Sequence, residues 1–401
     1  MKNRPLTISF GEIPYPDRIP KYMIAQVIRP DRFGEPEHAF VEEEVPVPQL
    51  APNEVLIAVK AAGVNFNNVW AAAGYPLDVI NHRIKEGELE NYHIGGSDAA
   101  GIVVQIGSKV QEFKIGEEVV IQPGSFDSEE PCVKNGGDPT FSSKFKAWGY
   151  ETNFGAFAQF CKVKSTQCLP KPSNLSWEES ACFMLTGATA FRMLTHWNPN
   201  HIRKNDLVLI WGGSGGLGAM AIQLTRKFEA VPIAVVNSLE KGKFCLSLGA
   251  EGYILRNEYS HWGSINKSES SDFREEQMRS FQRSVRNIGF KNPNIVIEHP
   301  GEDTIPTSLF VCDREGMVVI CGGTTGYLGS FGLSDFFKYQ KRLQGSHFAN
   351  PEECKKVLKL VGDREISPAL TKVFSFQEIP KVHQQMKENV HPYGNIAISF
   401  V

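Results

Sequence analysis

The stretch Leu207–Leu224, LVLIWGGSGGLGAMAIQL, decides the fold of this chain. Leu207–Trp211 is a continuous apolar run of the length of a fully buried strand. Gly212-Gly-Ser-Gly-Gly-Leu-Gly218 follows, and Ala219–Arg226 resumes with helix-forming residues at apolar spacing. Strand, glycine turn and helix in that order let backbone N–H groups and the positive helix end face a pyrophosphate. Gly213, Gly215 and Gly218 have the GxGxxG spacing, which serves a tight turn, a close backbone approach to phosphate and close helix–strand packing. Gly212, Ser214, Gly216 and Leu217 complete the loop. A glycine-rich βα turn without a ligand has the same composition, but the flanking strand and helix favour a dinucleotide site.

A chain of 401 residues is too long for one simple core and implies about two domains. A formal charge of −3 gives no reason to expect a nucleic-acid partner. No apolar run approaches the roughly 20 residues of a membrane helix, so no membrane association is expected. Met1–Pro20 mixes charged residues with four prolines and does not read as a secretory signal. The eight cysteines are scattered and contain no CxxC pair, which argues against a disulfide framework and a structural zinc lobe. A cytoplasmic setting is the simplest expectation.

Residues 1–20 read as an extended, proline-rich lead-in. Met23–Ile28, Ala39–Val45 and Glu54–Lys60 are short β-type runs parted by Pro, Gly and Asn, as in a β-rich domain. Gly116–Gln122 is a further strand, and residues 123–147 form a long polar loop of the kind that borders a site. Trp148–Phe160 is rich in aromatic residues, with Glu151 as its one acid. From Ser176 the rhythm alternates. A helical stretch over Trp177–Thr195, interrupted by Thr186-Gly-Ala-Thr189, precedes the glycine unit. Strand Val231–Asn237, helix Glu240–Leu248 and strand region Gly249–Leu255 follow it. Arg256–Ser271 is polar and reads as a surface insertion. Helix Glu275–Ile288 and strands Ile295–Glu298 and Met317–Cys321 complete a doubly wound parallel sheet. Helices Glu352–Val361 and Ile379–Asn389 and strand Asn395–Val401 form a tail expected to return to the first domain. The expected domains are 1–185 with 346–401, β-rich, and 186–345, an α/β Rossmann domain.

A carboxylate ending the second strand of such a sheet accepts a ribose 2′-hydroxyl and repels a 2′-phosphate. Here the strand ends Val235-Val-Asn-Ser-Leu-Glu-Lys241, with no acid at 237 or 238. Ser238 can donate to a phosphate and Lys241 can pair with its charge, which points to NADP(H). Taken alone, Lys241 is equally a solvated helix lysine.

The order of a β-rich domain, a Rossmann domain and a return resembles the medium-chain dehydrogenase/reductase superfamily. Gly63–Asn68, His93–Gly101 and Thr186–Phe191 carry that resemblance. The superfamily's zinc enzymes use catalytic Cys and His ligands and a four-Cys lobe. Neither pattern occurs here, so the resemblance is to a zinc-free branch and no metal site is expected. Within it, the chain resembles the crotonyl-CoA carboxylase/reductase family over nearly its whole length. GVNFNNVW (63–70), HIGGSDAAG (93–101), WGYETNFGAFAQF (148–160), LTGATAFRML (185–194), IVIEHPGEDTIPTSLFVC (295–312), QKRLQGSHFAN (340–350) and HPYGNIAI (391–398) carry the match.

That resemblance implies a GroES-like catalytic domain and NADPH as the reductant. It implies an enoyl-CoA thioester as substrate, crotonyl-CoA or a homologue, whose enolate captures CO2 to give ethylmalonyl-CoA or its homologue. By motif, the CO2 site falls on Asn67, Tyr150, Glu151 and His347, while Asn68 is left free to vary. A homo-oligomer, dimer or tetramer, is also implied, whereas by their own position Thr186 and Thr189 either line the nicotinamide side or are structural helix threonines. CO2 offers only weak acceptor oxygens, which suits an Asn amide and a His N–H; an ionised Glu151 cannot donate and acts through water or by orienting a neighbour. Each residue also has a plainer reading: backbone capping for Asn67, packing for Tyr150, a loop histidine for His347. Glu151 among aromatic rings is costly to bury without a partner. Lys341 and Arg342 can meet CoA phosphates or stay solvated, and the role of Glu298–Glu302 is open. Relatives that only reduce an enoyl-CoA, as an acrylyl- or crotonyl-CoA reductase does, share most of these motifs. From another class, a non-catalytic NADPH-binding protein is disfavoured because it has no need of Glu151 and His347, and a quinone reductase is a weaker option.

Overall fold

The computed structural model describes residues 7–15, 18–264 and 271–400. The lead-in read at 1–20 and the polar segment read at 256–271 lie partly outside them. The chain packs as two compact units, Met1–Leu185 with Asn350–Val401, and Thr186–Ala349. The second junction falls after Ala349, later than the 345/346 boundary read from the sequence, so His347 belongs to the second unit.

The second unit is built on six parallel strands: β1 (Leu207–Trp211), β2 (Val231–Val236), β3 (Gly252–Leu255), β4 (Ile295–Glu298), β5 (Met317–Ile320) and β6 (Arg342–Gly345). Their order, β3-β2-β1-β4-β5-β6, reverses between β1 and β4. In open sheets of this kind, ligands bind beyond the strand carboxyl ends at that reversal. All of β1 is buried, because parallel strands are covered on both faces. Strand β6 is mostly exposed and polar, and its sequence therefore gives no strand signal.

Where it is described, the segment read as a surface insertion is packed instead. Trp262 stands edge-on to Trp211, with ring centres 5.5 Å apart, and Trp211 stacks on Phe281 at 5.5 Å. His261 is buried within 3.0 Å of the Thr307 hydroxyl, and Arg256 pairs with Asp303 at 2.7 Å. The composition of the segment is polar, but its few rings have partners distant in sequence.

In the first unit, Glu54–Gly63 is the hub. It pairs antiparallel with Ala99–Ile106, Phe160–Lys164 and the C-terminal strand Asn395–Ser399. Leu370–Ser375, which lies between the two tail helices, is a strand parallel to Asn395–Ser399. A second sheet sets Tyr22–Ile28 between Val41–Pro46 and His93–Ile94. One apolar core, including Val27, Ile57, Val103, Phe157, Phe160 and Ile398, fills the space they enclose. The helical stretch expected at 177–195 is two helices, Trp177–Ser180, opened by a Ser176/Glu179 capping box, and Met184–Thr195. The break falls at 181–183, and Thr186–Thr189, expected to interrupt it, is helical. The polar loop 123–147 carries the short antiparallel pair Gly124–Ser125 and Lys146–Ala147.

Candidate active site

Three loops of the first unit are laid on one another, and they carry the first three predicted site residues. The Asn65–Asn68 turn starts the helix Asn67–Ala73 and faces the loop Gly95–Asp98. Asn65 donates its side-chain amide to Asp98 Oδ2 (3.0 Å), and Asn67 donates to Ser97 Oγ (2.7 Å). Asn68 accepts from the Gly96 N–H (2.9 Å) and donates to Asn67 Oδ1 (2.9 Å). The loop 148–155 lies on the other side. Ala156 N donates to Gly96 O (2.9 Å) and Phe157 N to Gly95 O (3.0 Å). Gly149 is left-handed, φ +70°, and a Cβ there would strike Gly96 O, so only glycine permits this approach. The loops that carry Asn67, Tyr150 and Glu151 thus meet at Gly96.

Asn67 is partly exposed, and among the described residues its second amide N–H has no partner. Tyr150 lies 6.3 Å, ring centre to ring centre, from Trp70 of the Asn67 helix. Glu151 is partly exposed rather than buried among rings, and its carboxylate accepts from the Ala147 N–H at 2.7 Å. That bond turns the carboxylate back on its own turn and lowers the cost of its position. Beneath this loop, His93 is fully buried and its imidazole is pushed down to about 3 by burial, so it is neutral.

Asp98 is the buried carboxyl that sequence reasoning missed. Besides Asn65, it accepts from Leu185 N (2.8 Å) at the start of helix Met184–Thr195, supplying one of the acceptors a helix start lacks. Burial outweighs both hydrogen bonds and pushes its carboxyl up to about 7. Cys182 and the other buried cysteines are free thiols, raised by burial where a shift is resolved. Among the described residues, no group of three or more His, Cys, Asp or Glu side chains converges to hold a metal.

In the second unit, the tight turn is made one residue before the GxGxxG pattern begins. Gly212 is left-handed, φ +56°, and a Cβ on it would strike the His299 ring. Gly213 packs on Ala234, and Gly218 on Gly212 and Gly213. At Gly215, by contrast, an added Cβ would meet only Gly212 O at 3.5 Å. Gly215 caps helix Gly216–Lys227 without a side chain, so the first-turn N–H groups of Gly216 and Leu217 lack a side-chain acceptor. Ser214 is buried beside them. A helix start of this form suits an anion.

Behind it, Glu298 is buried and braced rather than cofactor-facing. It accepts from Ser308 Oγ (2.5 Å), Thr304 Oγ1 (2.7 Å) and Gly301 N (3.1 Å), and burial pushes it up to about 7. His299 is held neutral, down to about 4, by burial. Ser238 caps helix Leu239–Ser247, accepting from Lys241 N at 3.3 Å. Lys241 is partly buried, which lowers its ammonium, and among the described residues it has no carboxylate partner. Thr189 is buried on helix Met184–Thr195. Lys341 is buried and donates to Leu309 O (2.6 Å) and Phe310 O (3.0 Å), a structural role that removes it as a phosphate ligand. Arg342 donates to Asn198 O at 3.2 Å. His347 follows β6 and is exposed between buried Ser346 and left-handed Phe348, φ +50°.

A GroES-type β unit and a Rossmann unit with a glycine cradle define a two-domain dehydrogenase/reductase. Residues 51–173 match the alcohol dehydrogenase GroES-like domain, and residues 216–363 match the zinc-binding dehydrogenase family, which together place the chain in the medium-chain dehydrogenase/reductase superfamily. Over 393 residues it is 43% identical to the crotonyl-CoA carboxylase/reductase of Cereibacter sphaeroides, covering 97% of this chain and 90% of that one. The structure of crotonyl-CoA carboxylase/reductase AntE in complex with NADP superposes with a TM-score of 0.93 at 46% identity, covering 98% of each chain. That of the 2-octenoyl-CoA carboxylase reductase CinF, in complex with NADP and 2-octenoyl-CoA, superposes with a TM-score of 0.88 at 32% identity, covering 96% and 89%. The chain belongs to the crotonyl-CoA carboxylase/reductase family.

Proposed function

We propose that this chain catalyses the NADPH-dependent reductive carboxylation of an enoyl-CoA thioester, crotonyl-CoA or a longer homologue. The observation that carries the reading is the meeting of loops 65–68 and 148–155 at the Gly95–Asp98 loop, which leaves Asn67 and Glu151 partly exposed on adjoining loops. The glycine cradle at Gly215–Leu217 fits a pyrophosphate, and Lys241, without a carboxylate partner among the described residues, fits a 2′-phosphate. Ser238 contributes first as the helix cap that orients this corner. Bound NADPH supplies a hydride to Cβ of the enoyl thioester.

Negative charge then develops on the thioester oxygen and Cα, and donors preorganised toward that oxygen lower the barrier; loss of one such donor typically costs roughly 3–4 kcal/mol. In this reading Asn67 and His347 donate to the oxygens of CO2, and Tyr150 shields Cα from water. Glu151 holds a bridging water or orients a neighbouring donor. Excluding bulk water matters most, since protonation of the enolate competes with its carboxylation. A cytoplasmic homo-oligomer, dimer or tetramer, completes the proposal; the eight cysteine thiols, free in this structure, suit a reducing setting.

Incubation with crotonyl-CoA and NADPH, with and without bicarbonate plus carbonic anhydrase, tests it by mass spectrometry. Ethylmalonyl-CoA appearing only with bicarbonate supports the reading. Butyryl-CoA alone in both samples would replace it with a non-carboxylating reductase. NADPH left unoxidised by any enoyl-CoA would point to a binding protein.

A further inference from the structure

Asn68 has no part in the chemistry read from the sequence, yet its side chain is fully buried and bonded at both ends. One end faces the Gly96 N–H, which can only donate, so that end must be the oxygen. The opposite end is therefore the amino group, and it faces Asn67 at 2.9 Å. The Asn67 atom that receives it must in turn be the carbonyl oxygen, which directs the Asn67 amino group to Ser97 Oγ. A backbone N–H thus fixes the polarity of two consecutive amides, which side-chain geometry alone leaves ambiguous. A Cβ at Gly95 would occupy the position of the Asn68 oxygen, so the loop is shaped to admit that side chain.

We propose that Asn68 is a positioning residue that holds the Asn67 amide with its N–H, rather than its oxygen, available to the substrate. This rests on Asn67 being a CO2 donor and deepens that reading. CO2 carries only acceptor oxygens, so an inverted amide would present oxygen to oxygen. Asn68→Asp is the variant that inverts it. Either carboxylate oxygen can still accept from Gly96 N, while the other now faces Asn67 and requires its amino group. The Asn67 oxygen then turns toward Ser97, whose hydroxyl can rotate to donate.

The experiment is a double-mutant cycle on the ratio of carboxylated to saturated product from crotonyl-CoA, NADPH and saturating bicarbonate, read by mass spectrometry. Asn68→Asp is expected to lower that ratio about tenfold, the scale of one lost hydrogen bond. It should lower the ratio more than it slows NADPH oxidation. In an Asn67→Ala background the same substitution should change the ratio less than about twofold, because its effect runs through an amide no longer there. A full tenfold drop in that background overturns the proposal, as does a parental ratio in Asn68→Asp when Asn67→Ala alone lowers it. A parental ratio in Asn67→Ala overturns the CO2 role of Asn67 itself, and the inference with it. Asn68→Ala carries the same cycle without a buried charge, should the aspartate variant fail to fold.

Discussion

Glu151, His347 and Lys241 each stand in a setting that the sequence does not display. Glu151 leans on the Ala147 N–H, His347 stands exposed after β6, and Lys241 lies partly buried with no carboxylate partner among the described residues. Glu151→Ala and His347→Asn should each shift product from carboxylated toward saturated acyl-CoA more than they slow NADPH oxidation. Mass spectrometry beside the NADPH absorbance checks this, and an unchanged product ratio in both variants removes both residues from the CO2 site. Lys241→Ala should raise the KM for NADPH roughly tenfold, the scale of one charge-assisted contact, and hardly alter that for NADH. Equal effects on the two cofactors contradict the 2′-phosphate reading. The residue types of Asn67, Tyr150, Glu151 and His347 were legible because they lie in long, chemically unusual strings. Asn68 and Asp98 were not, because their meaning depends on Gly96 and Leu185, which local sequence does not bring near.

Among the elements, the β1–turn–helix unit was legible because a buried strand, a glycine run and helix formers follow in order. Its hinge was read one residue late: the left-handed position is Gly212, against the His299 ring. Gly212→Ala should therefore weaken NADPH binding and cost about 1–3 kcal/mol of stability, from backbone strain and displacement of the ring. Thermal unfolding and titration of the variant with NADPH measure both, and parental values in both would contradict this role. The described part of 256–271 was misread and strand β6 missed because polar composition hid an aromatic cluster and an exposed edge.

The cap of helix Met184–Thr195 has a pH signature. The Asp98 carboxyl rises from 3.8 to about 7 on burial, so the folded protein keeps a proton that the unfolded chain releases between those values. Its contribution to stability is present below about pH 4 and lost as pH rises through about 7. Asp98→Asn keeps an acceptor for Leu185 N, and Asn65 can turn its amide over to match. The Tm of this variant relative to the parent should be higher at pH 8 than at pH 5. A pH-independent difference would contradict a buried, protonated Asp98.

Across the chain, the two-unit order was legible from the change between β-type runs and strand–helix alternation. The return of the tail was legible in its final apolar run, now seen paired with Glu54–Gly63. What the sequence could not supply was the stacking of three loops around Gly96, since those loops are separated by long stretches of chain and joined by asparagine side chains on one side and backbone contacts on the other. Hydride transfer and carbon capture are proposed to occur on one substrate molecule in one turnover. Crotonyl-CoA, NADPH deuterated at the transferred position and 13C-bicarbonate with carbonic anhydrase bring both steps into a single spectrum. The expected result is one product carrying deuterium at Cβ and a 13C carboxylate at Cα. Deuterium at Cβ with a solvent proton at Cα, and no 13C even at saturating bicarbonate, would contradict it.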